Sequence, residues 1–175
     1  MKNRFPLLVM TMIVLCVSCI PKVDEKKLSC AERQVLVDSM ESSLKKGMAF
    51  DTLNVTNLVR TYAEFSNACP NDSVTPEYLT RRADLLRGLG KTREAIKQLL
   101  SIHDGFPNYE RGVMCALLVG YLYENELADD EMAEKMYKNV IELYPDSREA
   151  DISRQSLKHL GISPEEVVRS FQKRK

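Results

Sequence analysis

An internal repeat between Thr75 and Pro145 constrains this 175-residue chain more than any other feature. Leu79, Ala83 and Leu86 are followed by Gly90, Ala95, Leu99, Ile102 and Pro107; further on, Ala116, Gly120 and Tyr123 are followed by Ala133, Tyr137, Val140 and Pro145. Ala95 and Ala133 lie 38 positions apart, and so do Pro107 and Pro145. One supersecondary unit used twice cannot bury its apolar face alone, so it must stack on its neighbours. Each unit reads as a helix, a tight turn and a second helix, with small residues where two helices approach closely.

The preceding stretch carries a degenerate copy. Pro70, Tyr62 and Phe65 each stand 37 residues before Pro107, Leu99 and Ile102. Residues 30–46, with Val35, Leu36, Met40 and Leu44 at helical spacing and Gly47 after them, predict one amphipathic helix. Residues 52–68, with Leu53, Leu58, Val59, Tyr62 and Phe65 expected inward, predict its partner. Thr75-Pro76-Glu77 then supplies an N-cap, a first-turn proline and an acid to the next unit. The turn from Glu124 to Glu131 in the last unit is long and acidic. After Pro145 a helix begins at Asp146 or Ser147, and Ser163-Pro164-Glu165-Glu166 is a capping box opening a short last helix.

The repeat resembles the tetratricopeptide repeat, a 34-residue helical hairpin. The resemblance covers roughly Leu53 to Leu160 and implies an all-α, right-handed α-solenoid. It would have about three hairpins (30–70, 75–107 and 109–145) and a C-terminal capping helix pair (146–175). Two departures stand out: the 124–131 turn is one residue long for the family, and Arg82 falls where the family has an apolar residue. In tetratricopeptide proteins the first helices line a concave groove that takes extended peptides or partner helices. Matched position by position, the resemblance places Glu77, Thr80, Asp84 and Arg87 in that groove from one unit, and Leu117, Tyr121 and Glu124 from the next. Arg81 lies beside them. A mixed groove with an aromatic and two arginines suits a protein partner.

The chain opens with Lys2 and Arg4, an eleven-residue apolar run from Leu7 to Val17, and Ser18-Cys19. The run is too short to span a bilayer, and its order is that of a secretory signal. A small residue directly before Cys resembles the bacterial lipoprotein signal, which implies cleavage of residues 1–18 and a diacylglycerol on Cys19. The departure is Cys16, where that family usually has Leu. Residues 19–29 would be a polar tether, and its stretch from Ile20 spans at most about 33 Å. Ile20 after the Cys is not the Asp that retains such proteins at the inner membrane in enterobacteria, so the outer membrane is the expected address.

Removal of Lys2 and Arg4 leaves 23 of the 25 basic residues against 25 acidic ones, a formal charge of −2. A nucleic-acid partner would want a basic face. His103 and His159 each lack a second ligand at helical spacing, whereas a metal site needs three or four. Asp129, Asp130 and Glu131 could ligate calcium, but acids at a helix start are expected to offset its dipole. No phosphate loop, nucleophile elbow or paired-acid motif is present, so neither cofactor nor metal nor catalytic residue is expected. Cys30 and Cys69 flank the first hairpin symmetrically, so their ends could meet in a disulfide; three reduced apolar cysteines, with Cys115 buried, is the other reading.

Lipid anchor, short tether and hairpins together resemble envelope lipoproteins of Gram-negative bacteria. Among these are the tetratricopeptide lipoprotein of the outer-membrane β-barrel assembly machinery, which has more repeats, and the periplasmic cell-division coordinator. The expected function is a non-enzymatic scaffold at the outer membrane whose partner is another envelope protein or peptide segment. Two rivals are an enzyme without a recognisable motif and a surface lipoprotein for glycan capture. The latter should carry an exposed aromatic platform, which a chain with no Trp hardly supplies.

Overall fold

The computed structural model describes residues 28–46 and 51–162, together with Glu166 and Arg169. Among them are seven helices and no strand: α1 Cys30–Lys46, α2 Thr52–Ala68, α3 Thr75–Gly88, α4 Thr92–Gly105, α5 Gly112–Asn125, α6 Asp130–Leu143 and α7 Arg148–His159. Each helix packs on the next in chain order, and α7 also touches α5, so three hairpins and a following helix build an all-α solenoid. The signal segment, the tether before Leu28, the α1 stop at Gly47 and most of the last helix with its capping box lie outside the described residues.

Local chemistry explains where the helices start. The Asp51 carboxylate accepts from the Leu53 and Asn54 amides (2.9 and 3.3 Å), Asp129 from Met132 (3.0 Å) and Ser147 from Ala150 (3.0 Å), each satisfying amides that have no partner within the helix. Thr75, expected to cap α3, does something else. Its hydroxyl donates to the Cys69 carbonyl at 2.6 Å from a buried position, and Asp72 accepts from the Val74 amide instead (3.1 Å). The short turn of the second hairpin uses Gly90 at φ 73°, which glycine adopts freely. In the third hairpin the extra residue of the 124–131 turn is absorbed by Ala128 at φ 50°, a left-handed conformation that costs a residue with a Cβ.

The apolar positions of the repeats form the core. Val59, Leu79, Ala83, Leu86, Ala95, Ile96, Leu99, Ile102, Cys115, Val119 and Leu122 make one cluster; Val37, Leu58, Tyr62, Phe65, Cys69 and Tyr78 make another at the N-terminal end. Burying one such large side chain is worth about 1.5–3 kcal/mol. Gly120 marks the tightest approach: a Cβ there would stand 2.6 Å from the Tyr137 ring. At the matching positions of the second hairpin stand Ala83 and Leu99, both buried in one cluster, a slightly larger residue in place of the glycine and a smaller one in place of the tyrosine. Arg82, where the resemblance implied an apolar residue, bridges three helices by donating to the Val59 carbonyl (3.2 Å) and to the Gln98 side chain.

The first hairpin departs from the sequence pattern. Val35 and Leu36, expected inward, are 68% and 43% exposed, while Val37 is fully buried and Met40 and Leu44 pack beside it. The inward stripe is therefore rotated by about one residue, which turns Glu41 towards Tyr62 and Arg81. Leu53, also expected inward, is 68% exposed, because the buried stripe of α2 runs through Val55, Leu58, Val59, Tyr62 and Phe65. A disulfide joins Cys30 to Cys69 with 6.0 Å between their Cα atoms, and Cys115 is a buried free thiol.

Candidate functional site

The face formed by α1, α3 and α5 gathers the residues that the repeat pattern points to, and it is tied together by charge. Glu77 is the centre of one network: its Oε1 accepts from Arg81 Nε (3.0 Å), and its Oε2 accepts from Arg111 (2.9 Å) and from the Tyr109 hydroxyl (2.7 Å). Arg81 reaches on to α1, donating to Glu41 Oε1 at 2.8 Å, where the Tyr62 hydroxyl also donates at 2.5 Å. Burial raises the pKa of both carboxyls, but bonds from Tyr62 and Arg81 to Glu41, and from Tyr109 and Arg81 to Glu77, outweigh it and hold both below their ordinary value. Burial and the charges of Asp38 and Glu41 push the Tyr78 phenol up to about 12. The Arg81 guanidinium lies 5.7 Å from the centre of that ring.

The expected groove residues thus divide into three kinds. Glu77 and Arg81 hold α1, α3 and the start of α5 in register. Thr80 is 3% exposed, with its hydroxyl bonded to the Pro76 carbonyl (2.8 Å) and close to Tyr109 and Cys115, so it is packing rather than a presented contact. Glu124 likewise turns inward and accepts from the Tyr137 hydroxyl at 2.6 Å, because a tyrosine at this position needs a buried partner for its oxygen. Asp84, Arg87 and Tyr121 remain presented, and Leu117 is half-buried beside them. Tyr121 is 45% exposed, Arg87 pairs loosely with Glu126 (3.5 Å), and Asp84 has no hydrogen bond or ion pair among the described residues.

Next to Asp84 a cleft of about 360 Å³ opens between α1, α2 and α3. Leu44, Leu58, Tyr62 and Leu85 form its apolar wall, with Glu41, Lys45, Arg81 and Asp84 at its polar edge. An apolar recess edged by fixed charges is the form of site that seats one large side chain and orients the segment carrying it. Glu41, Tyr109, Arg111 and Glu126 were not legible as site residues, since the Glu41 to Arg81 bond spans 40 residues, a separation outside the repeat period.

Among the described residues no group of three or more His, Cys, Asp or Glu side chains could hold a metal ion, and no helix is long and apolar enough to cross a membrane. His103 packs edge-on against Tyr144 at 5.8 Å, and His159 is exposed. Residues 115–147, which span most of α5, all of α6 and the turn that leads to α7, match the family model of the tetratricopeptide repeat. A search of curated proteins finds no match to the chain.

Proposed function

We propose, from a tetratricopeptide repeat set among hairpins of the same plan, that this protein is a non-catalytic protein-interaction scaffold, held by lipid on Cys19 at the outer membrane of a bacterial envelope. The observation that carries the interaction reading is the cleft beside Asp84, an apolar recess walled before any partner arrives; Arg87 is exposed one turn on from Asp84 in α3, and Tyr121 is exposed 37 residues on, at the matching repeat position of α5. Side chains already locked by the Glu41, Arg81 and Glu77 network lose little entropy when a segment binds, so the recess is preorganised. The partner is a segment of another envelope protein. It places a large apolar side chain between Leu44, Leu58 and Leu85 and meets Asp84 and Arg87 with opposite charges. The anchor rests on Ser18-Cys19 after the apolar run, and work in envelope or outer-membrane protein assembly joins that address to the scaffold.

Crosslinking in envelope fractions tests both halves. Asp84→Ala with Arg87→Ala and Tyr121→Ala should leave the helical circular dichroism and melting temperature nearly unchanged, since exposed substitutions cost within about 0.5 kcal/mol. It should nevertheless lose the crosslinked partner, because truncating binding hot spots costs about 2 kcal/mol or more. Retrieval of the same partners by this variant would move the binding surface elsewhere. Cys19→Ala should release the protein from membranes and end incorporation of labelled fatty acid; a variant that stays labelled and membrane-bound would overturn the anchor.

A further inference from the structure

The loops between hairpins, 69–74 and 106–111, face each other across a second cleft of about 710 Å³ that none of Asp84, Arg87 or Tyr121 lines. Rings contribute to both walls, Pro70 and Pro76 to one and Phe106, Pro107 and Tyr109 to the other, with polar residues among them. Both walls are held in place. The first is fixed by the Cys30 to Cys69 disulfide and by the Thr75 hydroxyl on the Cys69 carbonyl (2.6 Å). The second is fixed by the Phe106 amide on Ile102 (3.0 Å), the Tyr109 amide on Phe106 (2.9 Å) and the Tyr109 hydroxyl on Glu77 (2.7 Å). The lining includes two carboxylates, Asp72 and Glu110, and neither Lys nor Arg. Asp72 already accepts from the Val74 amide, whereas Glu110 is exposed and has no hydrogen bond or ion pair among the described residues.

We propose that this cleft docks an extended, proline-containing segment of a protein partner that carries Lys or Arg. The walls belong to the loops joining hairpins and to the helix ends beside them, and offer no strand edge, so a segment that needs a ladder of backbone bonds would leave its amides unmatched. A polyproline II segment has no such need and sets its rings against aromatic and proline surfaces with little entropy left to lose. Its cationic side chain meets Glu110 and lies over the Phe106 or Tyr109 ring. An acidic segment meets repulsion from both carboxylates.

The probe is a twelve-residue peptide of proline with Lys at every third position, and its control carries Glu at those positions. Titrated into the isotopically labelled, oxidised chain, the Lys peptide should shift amide resonances of the non-proline residues in 70–76 and 105–110 and bind at least about tenfold more tightly than the Glu peptide. Glu110→Lys, an exposed change that leaves the circular dichroism intact, should weaken it about fivefold and reduce its salt dependence. Phe106→Ala should remove most of the remaining binding. Shifts confined to the amides of Asp84, Arg87 and Tyr121 would overturn the proposal while sparing the scaffold reading. Equal binding of the two peptides, or no shift with either, would overturn it outright.

Discussion

The hairpin α1/α2 and the hairpin α5/α6 share a two-helix plan, yet they are held by different chemistry. Among the described residues of α1 only Val37 is fully buried, and the helix is kept in place by the disulfide at its start and by Glu41 bonded to Tyr62 and Arg81. In the third hairpin Val119, Leu122, Ala133, Tyr137 and Val140 are all buried, and a missing Cβ at Gly120 lets the Tyr137 ring lie against the backbone of α5. The difference follows from position in the stack. An inner hairpin buries apolar surface on both sides, but among the described residues the first has a neighbour on one side only, and there covalent and polar ties supplement the smaller burial.

The comparison breaks most visibly at the disulfide. Cys30→Ser with Cys69→Ser should cost up to about 4 kcal/mol in the chain-entropy model for the roughly 40-residue loop that the bridge closes. Hydrogen exchange should show the loss concentrated in residues 30–68, with 75–143 still protected; uniform loss across the chain would mean that the two hairpins unfold as one unit. A smaller effect probes the other side. Gly120→Ala should cost about 1–3 kcal/mol by forcing the Tyr137 ring away, read as a lower denaturation midpoint. Adding Tyr137→Leu should recover part of that loss, because the pair then copies Ala83 and Leu99 of the second hairpin; strictly additive effects would show that the two residues are not coupled.

The smallest effect sharpens the account of α1. Glu41 has a folded pKa below its ordinary value of 4.5, so its contribution is present above that value and lost as pH falls through the folded pKa. Protection of α1 should therefore weaken in acid below about pH 4.5. Glu41→Gln should lower stability at neutral pH by about 1 kcal/mol and flatten the acid loss. The remaining slope should come from Glu77, whose carboxyl is lowered in the same sense. An unchanged acid profile in Glu41→Gln would assign that tie no role in holding α1.

Much of the fold was written in residue order. The 38-residue spacing of Ala95 with Ala133 and of Pro107 with Pro145, Gly90 at a left-handed turn, and Ser147 before α7 all act over a few bonds or through helical period, and such signals survive in a linear string. The groove was legible only as a set of positions. Which stripe of α1 faces inward, which groove residues stay presented and which are absorbed by packing depended on contacts between helices. Glu41 finds Arg81 across 40 residues, Thr80 approaches Tyr109 across 29, and Glu124 meets Tyr137 across the turn of its own hairpin. Periodicity sets which residues share a helix face, because rotation per residue is a local property. The occupant of the space opposite that face belongs to the stacking of hairpins, so tertiary structure alone decided that Asp84, Arg87 and Tyr121 are presented while Thr80 and Glu124 are not.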